Sequence, residues 1–190
     1  MSEVENELSK SRLAKLESLK SRGIDPYPSR FRRTHTSIEA IPAYEESESS
    51  PESTLESMSL CGRIMARRSM GRATFLDISD RTGKIQALFR ANLLDDKYQI
   101  LEDIDLGDWL GIMGKPFRTK TGQVTIQVET FQILCKAIKP LPEKWHGLTD
   151  VETRYRQRYL DLISNDKSLQ TAITRSQIVS FIRRFMDKKE

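Results

Sequence analysis

Near Leu60 the apolar residues stop recurring at helical spacing and begin to alternate, which commits the following stretch to half-buried strands. LCGRIMAR places Leu60, Ile64 and Ala66 on one face and Arg63 and Arg67 on the other. RATFLDIS and KIQALFR then read as two strands joined through RTG, with Thr74, Leu76 and Ile78 opposite Ile85, Ala87 and Phe89 as the inward rows. A helical segment, NLLDDKYQILEDI, carries Leu93, Leu94, Tyr98 and Leu101 at helical spacing. WLGIMGKPF and QVTIQVETFQIL form a second hairpin, turned by RTKTG. The order is strand, strand, strand, helix, strand, strand, with strands short enough to close on themselves. Such an order specifies a mainly β fold with flanking helices, built on a five-stranded Greek-key barrel of the OB type.

The flanks are helical. In LSKSRLAKLESLKSRG, Leu13, Leu16 and Leu19 have helical spacing, and Gly23 followed by DPYP supplies a stop. The bases of this helix, Arg12, Lys15, Lys20 and Arg22, form either an anion-facing surface or a plain solvated face. Glu-rich EESESSPESTLES is a surface loop or adds a short helix. KPLPEKWHGL reads as an extended connector, and DVETRYRQRYLDLI as a helix with Tyr155, Tyr159 and Leu162 on one side. SLQTAITRSQIVSFIRRFMDKKE is an amphipathic helix whose apolar face calls for a partner. These transitions divide the chain into an N-terminal helix and acidic linker (1–59), the barrel (60–139), and a connector with a helical extension (140–190).

Composition excludes several classes of function. No apolar run approaches the ~20 residues needed to span a bilayer. Cys61 and Cys135 lie far apart with no CxxC partner and read as small buried hydrophobes; His35 and His146 are isolated, so no zinc site is expected. The net charge of +4 is unevenly spread. Arg63, Arg67, Arg68, Arg72, Arg81, Lys84 and Arg90 crowd the first hairpin against only Asp77 and Asp80. Such a patch marks either a site for a polyanion or a solvated charged face.

Phe75 breaks the alternation, because period-2 geometry puts its ring on the face of Asp77. If both apolar rows enter the core, Phe75 and Gln86 share the outer face as direct or diagonal neighbours. Gln123, Thr125, Gln127 and Glu129 make a matching polar row on the last hairpin. An exposed ring beside an amide and arginines suits an unpaired base: the ring stacks, the amide reads an edge and the arginines meet phosphates. Equally, Phe75 could pack beneath the N-terminal helix or the Glu-rich segment.

GRIMARRSMGRATFLDISDRTGKIQ, DLGDWLGIMGKPFRTKTG, KPLPEKWHGL and RYRQRYLDLISND, in that order, resemble the N-terminal part of bacterial-type class II lysyl-tRNA synthetases. The resemblance implies an anticodon-binding OB domain, with Phe75 as the ring that stacks on a base and Arg68 and Gln86 as readers. A further reader, usually glutamate, falls on Gln123. Strict alternation from Ile64 turns Arg68 inward, so the resemblance requires a bulge or strand end near Arg67–Ser69. It further implies a cytoplasmic ligase that joins lysine to a lysine-specific tRNA with a U-rich anticodon, using ATP and Mg2+, and that works as a homodimer through the last helix. The ATP and lysine machinery of that family has no counterpart among these motifs, so the chain is expected to be an N-terminal piece that binds tRNA without catalytic residues, a metal or a cofactor of its own. A stand-alone OB protein for single-stranded nucleic acid is the competing reading.

Overall fold

The alternating stretch forms five strands that close on themselves. The computed structural model describes residues 3–49, 56–142, 148 and 150–189. Strands β1 (Met58–Met70), β2 (Ala73–Ser79), β3 (Lys84–Arg90), β4 (Trp109–Arg118) and β5 (Val124–Cys135) follow in the expected order. Around the barrel they run β1-β2-β3-β5-β4, and β4 pairs back to β1. Every pair is antiparallel except β3 with β5. The barrel is the five-stranded OB fold that the element order specifies.

The inward rows of β2 and β3 are buried as alternation demands, and Val124, Ile126 and Val128 of β5 join them. Phe89 meets Phe131 edge-on, with ring centroids 5.3 Å apart. At Gly114, where the β4–β5 register shifts, a Cβ would lie 2.0 Å from the Gln127 carbonyl oxygen. Only glycine permits that approach of the two backbones.

β1 departs from strict alternation. Its register against β2 shifts between Ile64 and Ala66, leaving Met65 as the extra residue of a bulge. A one-residue insertion reverses the facing of every later side chain. Ala66 therefore stands opposite Asp77, Arg67 opposite Leu76 and Arg68 opposite Phe75. This corrects the simple reading of LCGRIMAR, in which Ala66 faced in and Arg67 faced out. Arg67 turns toward the barrel end, where its Nη1 donates to the carbonyls of Leu101 (2.7 Å) and Ile104 (3.0 Å). The bulge lies upstream of the Arg67–Ser69 stretch expected to hold it, and β1 continues to Met70.

Helix α1 (Glu3–Ser21) ends as the glycine predicts. Gly23 has φ +71, its N–H donates to Lys20, and that of Ile24 donates to Leu19, closing the last turn. Leu16 and Leu19 are buried, whereas Leu13 is exposed. The helix bases form neither an anion surface nor a free solvated face. Lys15 pairs with Asp105, Arg22 with Asp103, and Lys20 with Glu17. Arg12, almost fully buried, donates to the carbonyls of Ala137 and Lys139. Beside this contact Lys136 is buried between Asp105 and Asp108, and Asp108 also accepts from the Ala137 N–H. A buried cation is tolerable only with such complete pairing.

Helix α2 (Ser37–Glu48) begins before the Glu-rich stretch, so the helical alternative holds for its first part; residues 50–55 lie outside the described residues. Thr36 N–H and Oγ1 both donate to Glu39, the reach-back that THTSIEA encodes. Ala40 enters the core, with Ile41 and Ala43 packed against it. Asp80, at the β2–β3 turn, accepts from the N–H groups of Ser37, Thr82 and Gly83. NLLDDKYQILEDI is not one helix: α3 (Ala91–Leu94) breaks at Asp95, whose φ is +46, into a 3-10 helix over Asp95–Asp103. Leu94 and Leu101 are still buried. Cys61 is half-buried, and burial pushes its thiol pKa up; Cys135 is exposed, contrary to expectation.

The chain divides into two compact units, Met1–Pro140 and Leu141–Glu190. In the second, DVETRYRQRYLDLI breaks at Gln157 into α4 (Val151–Arg156) and α5 (Arg158–Ser164), tied by Arg154 and Arg158, which both pair with buried Asp161. Helix α6 (Asp166–Asp187) is capped by Asn165 and presents Ile178, Ile182, Phe185 and Met186 exposed. Most of LPEKWHGL, residues 143–147, lies outside the described residues. Among the described residues no helix is long and apolar enough to cross a membrane.

Burial opposes ionisation of Asp80, but the Ser37, Thr82 and Gly83 donors outweigh it and hold its pKa below the usual range. A carboxyl with a depressed folded pKa adds stability above its unfolded value of ~3.9 and loses it as pH falls through the folded value. Asp80→Asn should lower urea stability at pH 7 and flatten its decline below about pH 4; parallel wild-type and variant pH profiles would contradict this.

Candidate nucleic-acid interface

The outer face of the barrel is assembled by register. Across the strands, Arg68 of β1 stands beside Phe75 of β2, Phe75 beside Leu88 of β3, Leu88 beside Gln127 of β5 and Gln127 beside Lys115 of β4. The adjacent row runs Asp77, Gln86, Thr125, Phe117. Phe75 and Gln86 are therefore diagonal neighbours on one face. The β4–β5 turn rises beside them. Gly122 at φ +84 closes it, and Thr119 and Gln123 exchange bonds through the Thr119 N–H, the Thr119 hydroxyl and the Gln123 N–H.

Between this turn and the outer face lies an open groove of about 480 Å³. Its lining contains Arg68, Phe75, Gln86 and Gln123, the four side chains singled out from the sequence. Phe75 is half-buried and outside the core cluster, which disposes of its packing beneath α1 or α2 as a core residue. Gln86 differs from expectation. It is 7% exposed, a floor residue and not part of a solvated row, because β3 is flanked by β2 and β5 and overhung by the turn. Thr125 is also fully buried, and its hydroxyl donates to Gln86 Oε1 at 2.9 Å. Gln123 stands exposed on the rim.

Sequence reasoning missed Phe117, Met70, Lys120 and the threonines of the turn, which line the groove together with Leu88 and Arg90. Register could have found Phe117, since it faces Thr125 across the last hairpin. The groove thus offers two half-buried rings, Phe75 and Phe117.

The charge around it is cationic. Arg68 donates through both terminal nitrogens to Asp77, at 2.7 and 3.1 Å. Those bonds, led by the hydrogen bonding itself, push its guanidinium pKa further up, so it stays charged. Bidentate pairing fixes the plane of the guanidinium while leaving N–H donors unspent. Arg90 and Lys120 add charge at the lining. Arg63 and Arg67 serve the fold instead. Arg63 donates to the Gly107 carbonyl and lies over the Trp109 ring, at 5.3 Å. Arg67 caps the 3-10 segment. Arg72, Arg81, Lys84 and Arg90 have no ion-pair partner among the described residues. The basic hairpin is therefore partly structural and partly an open cationic surface. Among the described residues no group of three or more His, Cys, Asp or Glu side chains could hold a metal ion.

The groove thus joins aromatic faces, a buried amide and unpaired cations, groups whose chemistry can stack on bases, bond their edges and meet phosphates. Residues 58–134 match the family model described as OB-fold nucleic acid binding domain. Over nearly its whole length the chain is similar to the N-terminal region of bacterial lysine–tRNA ligases. It is 50% identical over 186 residues to the lysine–tRNA ligase of Dehalococcoides mccartyi, covering 97% of this chain and 37% of that protein. With the lysine–tRNA ligase of Carboxydothermus hydrogenoformans it shares 48% over 185 residues, 97% of this chain and 37% of the relative. With that of Bacillus subtilis it shares 46% over 176 residues, 91% and 35% respectively. The chain thus spans little more than a third of the length of the curated relatives it matches.

Because Phe75 lies outside the core, Phe75→Ala should leave the melting temperature nearly unchanged and weaken binding of a single-stranded RNA loop by about 1–3 kcal/mol. A large fall in melting temperature with unchanged affinity per folded molecule would assign the ring to packing.

Proposed function

We propose that this chain is the anticodon-binding region of a class II lysyl-tRNA synthetase and that its groove holds the unpaired bases of a U-rich, lysine-specific anticodon. The observation that carries this reading is the convergence of Arg68, Phe75, Gln86 and Gln123 on one groove. Phe75 supplies the stacking surface and Gln86 reads a base edge from the floor. Arg68, held in plane by Asp77, donates to a carbonyl or phosphate oxygen. Gln123 stands where the family usually has glutamate, so its amide adds donors at the rim. Arg90 and Lys120 neutralise phosphates, which position the strand without identifying it.

The parent protein, on this reading, is a cytoplasmic homodimer that joins lysine to its tRNA, with α6 contributing to the subunit contact. ATP and Mg2+ serve that parent reaction, and the groove residues described here take no step in it. The part this region plays is selection: a tRNA that seats its anticodon is held long enough for its distant end to be charged.

Titration of the chain with anticodon stem-loops carrying UUU and a scrambled triplet, at matched salt, tests the reading. Tighter binding of UUU, with a salt slope common to both loops, is expected. Equal affinities would instead make the groove a sequence-indifferent single-strand site.

A further inference from the structure

We infer that Thr125 is a positioning residue that sets which end of the Gln86 amide faces the groove, and so sets the groove's preference for a base edge that accepts hydrogen bonds. This rests on the anticodon reading above and deepens it.

Gln86 and Thr125 face each other across the parallel β3–β5 pair, the one place where those strands bring an amide and a hydroxyl together. Thr125 is 0% exposed, so its hydroxyl can find only protein partners. It lies 2.9 Å from Gln86 Oε1 and 3.3 Å from the Gln123 carbonyl. A hydroxyl both donates and accepts, so distance decides: its single proton goes to Gln86 Oε1 at 2.9 Å and not to the Gln123 carbonyl at 3.3 Å, which sets Oε1 and not Nε2 toward Thr125. Gln86 Oε1 is thereby occupied. Among the described residues nothing else bonds the Gln86 amide, and no buried side-chain polar atom is left without a partner. Its Nε2 group must therefore open onto the groove, with both hydrogens available.

An amide alone can read either kind of edge, because a half-turn exchanges donor and acceptor. Locked by Thr125, Gln86 presents donors only. The neighbouring Arg68 is donor-only by chemistry. Two donor groups on one wall favour a pyrimidine that offers a carbonyl there. Uracil presents O4 as an acceptor where cytosine presents the N4 amino donor. The lock thus converts an ambiguous reader into one that favours uracil over cytosine.

The test uses the 190-residue chain, the UUU stem-loop and three loops in which a single U is replaced by C. The position at which the wild type discriminates most is the one scored. Thr125→Val and Thr125→Ala, two hydroxyl-free variants of different volume, should reduce the U-over-C ratio there by roughly three- to tenfold. Thr125→Ser, which restores the hydroxyl, should keep the ratio near wild type. A purely structural role would weaken all four loops alike, with a lower melting temperature, and would overturn the inference. Retention of the full ratio in either hydroxyl-free variant, or its loss in Thr125→Ser, would do the same. A wild type that prefers C would show the amide turned the other way and would overturn the inference. A wild type blind to all four loops would overturn the anticodon reading itself, and the inference with it.

Discussion

One extra residue in β1 decides which side chains the barrel shows to solvent. Up to Ile64 the strand alternates normally; beyond Met65 every side chain changes face. Without the shift, Arg68 would point toward the core and Arg67 toward the groove. With it, Arg68 stands beside Phe75 and reaches Asp77, while Arg67 is spent on the carbonyls of Leu101 and Ile104. Two adjacent arginines with identical chemistry acquire opposite tasks. The bulge sets the tasks, and the cationic character of the hairpin alone could not.

The groove's other wall depends on α2. At its start the helix receives Asp80 from the β2–β3 turn; at its end Glu48 pairs with Arg118, which lies over the Tyr44 ring at the foot of the β4–β5 turn. An exposed ion pair adds little to stability, so Glu48 and Arg118 orient the turn more than they hold the helix. Retention comes from Ala40, Ile41 and Ala43, which pack into or against the barrel core. The opposite side is held by Lys136 with Asp105 and Asp108, a buried ion cluster that α1 extends through Lys15. Both helices thus brace the barrel around a face they leave open.

Much of this fold is legible in the residues. Strand order, the inward rows and the Gly23 stop follow from period and turn chemistry, because each is set locally. The outer position of Phe75 also follows, since no irregularity separates it from Leu76. Features that depend on distant partners do not. The bulge has no proline or glycine to mark it, and its position is fixed by pairing with β2. Gln86 reads as an outward polar residue; its burial comes from β5 and the turn, which lie far along the chain. The basic face of α1 reads as free because Asp103, Asp105 and the carbonyls that engage it are supplied from elsewhere. The splitting of NLLDDKYQILEDI arises at Asp95, in a left-handed conformation that apolar spacing does not report.

The central claim is that a single-stranded RNA lies in the groove between Phe75 and the β4–β5 turn. Backbone amide resonances of the chain, followed during titration with the UUU stem-loop, test it most directly. The account predicts shifts concentrated at 68–70, 75, 86–90 and 117–123, with α1 and α6 little affected. Shifts centred on α1, or on α6 with the groove silent, would contradict it.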